Sequence, residues 1–294
     1  MRGVLMIESI LINRFCAPVR GQRCAVATQN LVATNAEALR LFRLGLSRRC
    51  SAPTEAAITH FSSEGKGLLS LKRLAQLVAA QGRLYELEGR LGEAARWYAL
   101  DIRLGDEISH GGLIIHRLVG IAMEALGAAR LAKIASQLKP SQAHLVIEDL
   151  EQVEATRVTW DEVLESENQC LYHEMAKTAN PLAWITGWWQ AFRIRPFAKR
   201  RCNEALAHTR LLLVELALFA YRAEKGHEPL TLEDLAPRYL QQVPLDPFSG
   251  QEFVYHPRGT NWLLYSVGPD GVDNGGRAYD RSQGTGDIFV DSRW

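Results

Sequence analysis

Between Leu211 and Tyr221 the chain reads Leu-Leu-Leu-Val-Glu-Leu-Ala-Leu-Phe-Ala-Tyr, apolar on every side of a helix except at Glu215. A helix that is hydrophobic all round must be enclosed by other elements, so the surrounding sequence has to supply a wrapping. The helix is predicted to run from Arg201 to about Lys225, and Gly226-His-Glu-Pro229 ends it. Thr231-Leu-Glu-Asp234 then has the form of a capped short helix before Pro237. Pro244, Pro247 and Gly250 make a turn, after which Phe253–Tyr255 and Trp262–Val267 read as antiparallel strands across Pro257-Arg-Gly-Thr260. Gly286–Val290 reads as a closing strand. Residues 201–294 are therefore expected to form an α+β unit, a long helix packed on a short antiparallel sheet.

The loop between the last two strands is dense in Gly, Asp and Asn. Glycines allow a backbone to curl so that several oxygens point inward. Asp270, Asp273, Asp280 and Asp287 offer the hard oxygen ligands that calcium prefers. The same residues also make ordinary turns, and spacing alone leans toward turns while leaving both readings open. An EF-hand loop starting at Asp270 would put Val272 at its third position and Arg281 at its twelfth, where a bidentate Glu belongs. The nonapeptide repeats of calcium-binding β-helices need several copies, and this chain has one. Neither signature fits.

A wider set of residues carries a resemblance. It comprises the helix Leu211–Tyr221, the Gly226-His-Glu-Pro229 turn, Asp246-Pro-Phe-Ser-Gly250, Tyr255, and Tyr265-Ser-Val-Gly-Pro-Asp-Gly271. Gly275-Gly276, Asp287-Ile288 and Trp294 complete the ordered series. From about Arg200 onward the chain resembles the globular domain of the major pseudopilin of type II secretion, pseudopilin G. That resemblance implies a structural calcium ion in the loop after the Gly-Pro-Asp-Gly turn. By the same resemblance Asp270, Asp287 and the carbonyl of Val267 are its ligands. Gly286 stands where many relatives carry a carboxylate, so Asp273 or Asp280 would have to supply the missing oxygen.

Upstream, the chain of 294 residues is long enough for a second core. Its net charge of +1 gives no global field for nucleic acid, and no nucleic-acid partner is expected. Cys16, Cys24, Cys50, Cys170 and Cys202 include no Cys-x-x-Cys pair, so a zinc ribbon or redox dithiol is not expected. Arg2-Gly3-Val-Leu-Met-Ile-Glu8 has the register of a prepilin cleavage motif, but the apolar run behind it stops at Asn13-Arg14. It is read as a coincidence, and no signal peptide is recognised.

Residues 1–58 are expected to hold one short helix, with Ala36, Leu39, Phe42 and Leu46 at helical spacing and Ser51-Ala-Pro-Thr54 as its break. Residues 59–180 are read as an all-α helical-hairpin domain. Leu68–Leu91 is one helix, Gly89 and Gly92 end it, and Glu93–Ile108 is the next. Gly89, Ala94 and Tyr98 resemble the turn of a single tetratricopeptide hairpin, in which a small Ala lets two helices approach and an aromatic packs across them. Leu113–Leu138 is a long apolar helix with Gly120 and Gly127 for close contact. Pro140 stops it and Ser141 caps a further helix through Val153. His116 is read as a core histidine, and Asp149–Glu167 as a solvated helix face. His173-Glu174 lacks the second histidine of a zinc-protease motif.

Residues 181–200 are read as a Trp-rich basic linker. Trp184, Trp188 and Trp189 followed by Lys199, Arg200 and Arg201 suit packing between domains, with peripheral membrane contact as the alternative. No nucleophile–base motif or phosphate cradle is apparent. The expected function is that of a non-enzymatic, calcium-stabilised binding or structural protein of the bacterial envelope with a protein partner. The alternatives are an assembly component of a type II secretion or pilus-like machine, and a hydrolase with a site between domains.

Overall fold

A computed structural model describes residues 22–48, 61–177, 181–259 and 261–291. Within its helices, the side chains of 22–24, 61–66, 174–177 and 181–191 are outside that description. The prepilin-like register at 2–8, Cys16, Cys50, Trp294 and the side chains of Cys24, Trp184, Trp188 and Trp189 therefore lie outside the described residues.

The protein is of the α+β class, its described residues mostly helical with a small two-stranded antiparallel sheet. The helices are α1 (Gln22–Thr34), α2 (Ala36–Leu46), α3 (Phe61–Leu87), α4 (Leu91–Glu107), α5 (Ile114–Ile134), α6 (Pro140–Thr156), α7 (Trp160–Lys177) and α8 (Pro181–Lys225). Strands β1 (Val254–Pro257) and β2 (Trp262–Tyr265) pair from Val254 opposite Tyr265 to Pro257 opposite Trp262. Among the described residues, no helix is long and apolar enough to cross a membrane.

The chain divides into two compact units, Met1–Gly127 with Val158–Arg195, and Ala128–Arg157 with Pro196–Trp294. These differ from the composition-based divisions at 58, 180 and 200. The reason lies in α6, which bonds to the tail. Glu154 accepts from Arg210 Nε at 2.5 Å, Glu151 accepts from the Gln241 N–H at 2.6 Å, and His144 meets Glu224 at 3.3 Å. Composition carries no trace of such pairings, because their partners lie 56 to 90 residues apart.

In the first unit, α3 and α4 form the expected hairpin. Gly89 takes a positive φ of 75° at its turn, and Ala94 is fully buried. Tyr98 lies directly on Gly82, where an added Cβ would stand 2.5 Å from its ring, and its hydroxyl donates to Glu86 at 2.7 Å. Helix α5 crosses α4 where Gly105 and Gly120 meet backbone to backbone, leaving no room for a side chain on either. His116 is buried and its Nδ1 accepts the Leu113 N–H at 3.0 Å. The helices α1 and α2 complete this core with Val32, Leu39, Phe42 and Leu46 against Leu77 and Val78.

Four sequence expectations are corrected. The N-terminal segment holds two described helices, since Asn35 between α1 and α2 does not break the amphipathic pattern. Pro140 opens α6 instead of merely stopping α5, because a missing N–H costs nothing at a first helical position. The acidic stretch from Asp149 is divided between α6 and α7, and Thr159 caps the second by accepting the Glu162 N–H at 3.2 Å. The 181–200 segment is helical throughout, with Pro196 inside the 45-residue helix α8. An interior proline removes one hydrogen bond but leaves the next turns free to continue.

In the second unit, the apolar stretch of α8 is enclosed as its sequence demands. Leu211, Leu212, Val214, Leu216 and Leu218 are all buried. Leu232, Leu235, Tyr239, Phe253, Leu264, Tyr265 and Ile288 are buried in the same unit. Each such side chain contributes about 1.5–3 kcal/mol by leaving water. Phe219 meets Trp262 of β2 edge-on at 4.9 Å, and Arg222 lies 4.9 Å over the same indole.

Candidate metal centre in the tail loop

Beyond Tyr265 the strand does not end its pairing but changes partner. Ser266 and Ile288 exchange both backbone hydrogen bonds at 2.9 Å, so the loop between them closes on itself. Gly268, at a φ of 72°, lies so close to the Gly286 carbonyl that a Cβ there would collide with it. The Asp287 N–H donates to Arg277 at 2.7 Å and its carbonyl accepts from Tyr279 at 2.9 Å. Positive-φ glycines at 268, 271, 275, 276, 284 and 286 make these reversals possible.

Two of the predicted carboxylates converge. Asp287 is completely buried, and its oxygens accept the N–H groups of Asn274 at 3.2 Å and Gly276 at 2.8 Å. Asp270 accepts from the Val272 N–H, the Gly286 N–H and the side-chain amide of Asn274, each at 3.1–3.2 Å. Asn274 thus touches both, through its backbone on one side and its side chain on the other. Val267 stands at the loop's entrance, its N–H bonded at 3.0 Å to Asp246.

The other two point elsewhere. Asp273 accepts the Tyr265 hydroxyl and the Gly275 N–H, both at 2.8 Å. Asp280 accepts the Ser282 N–H and hydroxyl at 2.8 and 2.7 Å, capping its own turn. Among the described residues, no three acidic, histidine or cysteine side chains are grouped as a metal would require. A calcium shell here would have to be Asp270, Asp287 and neutral oxygens.

The electrostatics separate these carboxylates. Burial pushes Asp287 above the usual carboxylate range, outweighing the N–H groups of Asn274 and Gly276. Burial also acts upward on Asp270, but the N–H groups of Val272 and Gly286 and the Asn274 amide bring it below that range. The Gly275 N–H and Tyr265 hydroxyl lower Asp273, and the Ser282 hydroxyl and N–H lower Asp280. Of these four carboxylates, Asp287 is the one whose burial outweighs its hydrogen-bond donors. That is the position at which a nearby cation would be most stabilising.

Sequence reasoning gave no role to Asp246 or Asn274. Asp246 is buried, and its carboxylate accepts from Phe248 N–H and Ser266 hydroxyl at 2.9 Å and from Val267 N–H at 3.0 Å. The bond two residues on is the ordinary Asx turn of an Asp before a proline, which the sequence does signal. Its reach to Ser266 does not appear in any local pattern.

Further buried charge lies in the first unit, along α4 and α5. Arg117 and Glu124 form a buried ion pair, and Asp106 accepts the Val158 N–H at 3.3 Å and meets His110 at 3.3 Å. Asp101 is completely buried, and neither of its oxygens has a hydrogen-bond partner among the described residues. No protein-family model, no curated protein and no solved structure matches the chain.

Proposed function

We propose that this chain is a non-enzymatic, calcium-stabilised binding or structural protein of the bacterial envelope, with a pseudopilin-G-like tail. The observation that carries the proposal is the convergence of Asp270 and Asp287 on Asn274 inside a loop closed by Ser266 and Ile288. Asp287 has exchanged water for backbone N–H groups, among them those of Asn274 and Gly276, and a divalent cation beside it would offset the remaining cost of its burial. Asp270, Asp287 and the carbonyl of Val267 would hold the ion, with the Asn274 amide yielding its place on Asp270. Calcium accepts six to eight oxygens in irregular geometry, so carbonyls and water can complete such a shell. The ion would do no chemistry; it would fix the loop. A loop fixed in this way gives the tail a rigid edge for a protein partner.

A second reading, as an assembly component of a type II secretion or pilus-like machine, is favoured by α8. That helix enters the tail as one piece of 45 residues, a form suited to lateral packing in a filament.

Thermal unfolding of the full chain in calcium and in chelator tests the site. Calcium at a hundred times its dissociation constant should add about 2.7 kcal/mol of stability by mass action. Equal melting temperatures in the two conditions would rule the site out. A shift that persists in Asp270→Ala would place the ion elsewhere.

A further inference from the structure

A groove of about 420 Å³ opens on the first unit between the α1–α2 pair and the α3–α4 hairpin. Val32 and Leu39 form its apolar floor, Trp97 one wall, and Arg40, Arg43 and Gln81 its polar lining. It lies within one compact unit and shares no residue with the tail loop.

Two features of that lining are unusual. Gln81 is only 8% exposed, yet its side-chain amide has no hydrogen-bond partner among the described residues. The amide carries two donors and an acceptor that no described residue engages, so all of them are open to a ligand in the groove. Arg43 is exposed and pairs with no carboxylate among the described residues; its guanidinium lies 5.7 Å over the Trp97 ring. Arg40, by contrast, is held by Glu37 through two bonds of 2.7 Å, which neutralises it while keeping it at the rim. The groove therefore lacks any acidic lining and keeps one unneutralised cation.

We propose that this groove binds an extended segment of a partner protein that carries an Asp or Glu beside an aliphatic side chain. The Gln81 amide matches the donor–acceptor pair of a peptide bond and would bind one backbone unit through both. Arg43, already oriented by Trp97, would take the carboxylate in a forked pair of charge-assisted hydrogen bonds. The aliphatic side chain would fill the floor between Val32, Leu39 and the indole. A small anion would satisfy Arg43 alone, leaving Gln81 and the apolar floor unused.

Selection of a random heptapeptide phage library on the full chain tests this directly. Enriched peptides should share an acidic residue next to Leu, Ile or Val. Arg43→Gln, an exposed position that should not disturb folding, should reduce retention of those peptides by about tenfold. Arg43→Glu should turn the enrichment toward basic peptides, and Gln81→Leu should weaken acidic and neutralised versions alike. Unchanged retention in both Arg43 variants, enrichment without acidic residues, or no enrichment at all would overturn the proposal. Full displacement of the peptides by inorganic phosphate at millimolar concentration would also overturn it, as would self-association that blocks the groove.

Discussion

The Asp246 carboxylate accepts the Val267 N–H at 3.0 Å, tying the turn before β1 to the residue at which the tail loop begins. The same carboxylate holds the Ser266 hydroxyl and the Phe248 N–H, so three donors depend on one buried side chain. Asp246→Ala should leave them unsatisfied in a dry site and cost on the order of 2–5 kcal/mol in denaturant unfolding. A loss below about 0.5 kcal/mol, the range of ordinary surface changes, would show that the anchor is dispensable.

Close helix packing in the first unit gives a second prediction. Gly105→Ala places a methyl against the Gly120 backbone, which has no flexible side-chain end to move aside. Ala94→Leu overfills a fully buried position in the α3–α4 hairpin. Each should destabilise by about 1–3 kcal/mol. Unchanged melting temperatures in both variants would mean that the helices part more easily than their contacts imply.

Neither carboxylate oxygen of the buried Asp101 has a hydrogen-bond partner among the described residues, and burial holds its carboxyl well above the usual range. A folded-state value raised above the unfolded one gives stability that is present at low pH and lost as pH rises. Asp101→Ala removes that dependence, along with an unsatisfied group. The variant should therefore gain on the parent as pH rises from 4 to 8, by roughly 1–3 kcal/mol at the upper end. If the parent is the more stable at pH 8, some favourable contact of Asp101 has been missed.

Two groups of opposite sign titrate in the second unit. Burial, and secondarily the charge of Asp291, pushes Glu215 up to about 7, although the residue is only partly buried by surface area. Its contribution is complete below its unfolded value of about 4.5 and is lost as pH rises to about 7. Burial lowers His208 to about 4, with the charges of Arg201 and Arg281 adding to it, so its contribution is lost as pH falls from 6.5 toward 4. The two slopes oppose one another between about pH 4.5 and 6.5. Glu215→Gln should expose the histidine slope and raise stability above pH 7 by on the order of 1–3 kcal/mol. Parallel stability–pH curves for parent and variant would exclude this role for Glu215.

Much of the helical layout was legible locally. Leu211–Tyr221 is apolar on all sides, so burial of α8 followed from composition and period alone. Ala94 and Gly89 likewise announced a tight hairpin, because only small or positive-φ residues suit those places. The loop's glycines and aspartates indicated sharp reversals, but the closing strand expected at Gly286–Val290 is reduced to isolated bridges at Asp287 and Ile288, because the turns around it leave no run of residues free to pair. Within the candidate site, Asp270 and Asp287 were legible as carboxylates at the two ends of that loop.

Tertiary structure decided what those residues do. Asp273 and Asp280 share a residue type with Asp270 and Asp287, yet Tyr265 and Ser282 claim them, while Asn274 draws the other two together. Membership of α6 in the tail's unit depends on Glu154, Glu151 and His144 meeting partners far along the chain. The open Gln81 amide appears only once α1 and α2 lie against α3 and α4. Periodicity and turn chemistry are properties of a few successive residues, so sequence determines them directly. Which donor reaches which carboxylate depends on where distant segments come to rest, and that is settled only by packing.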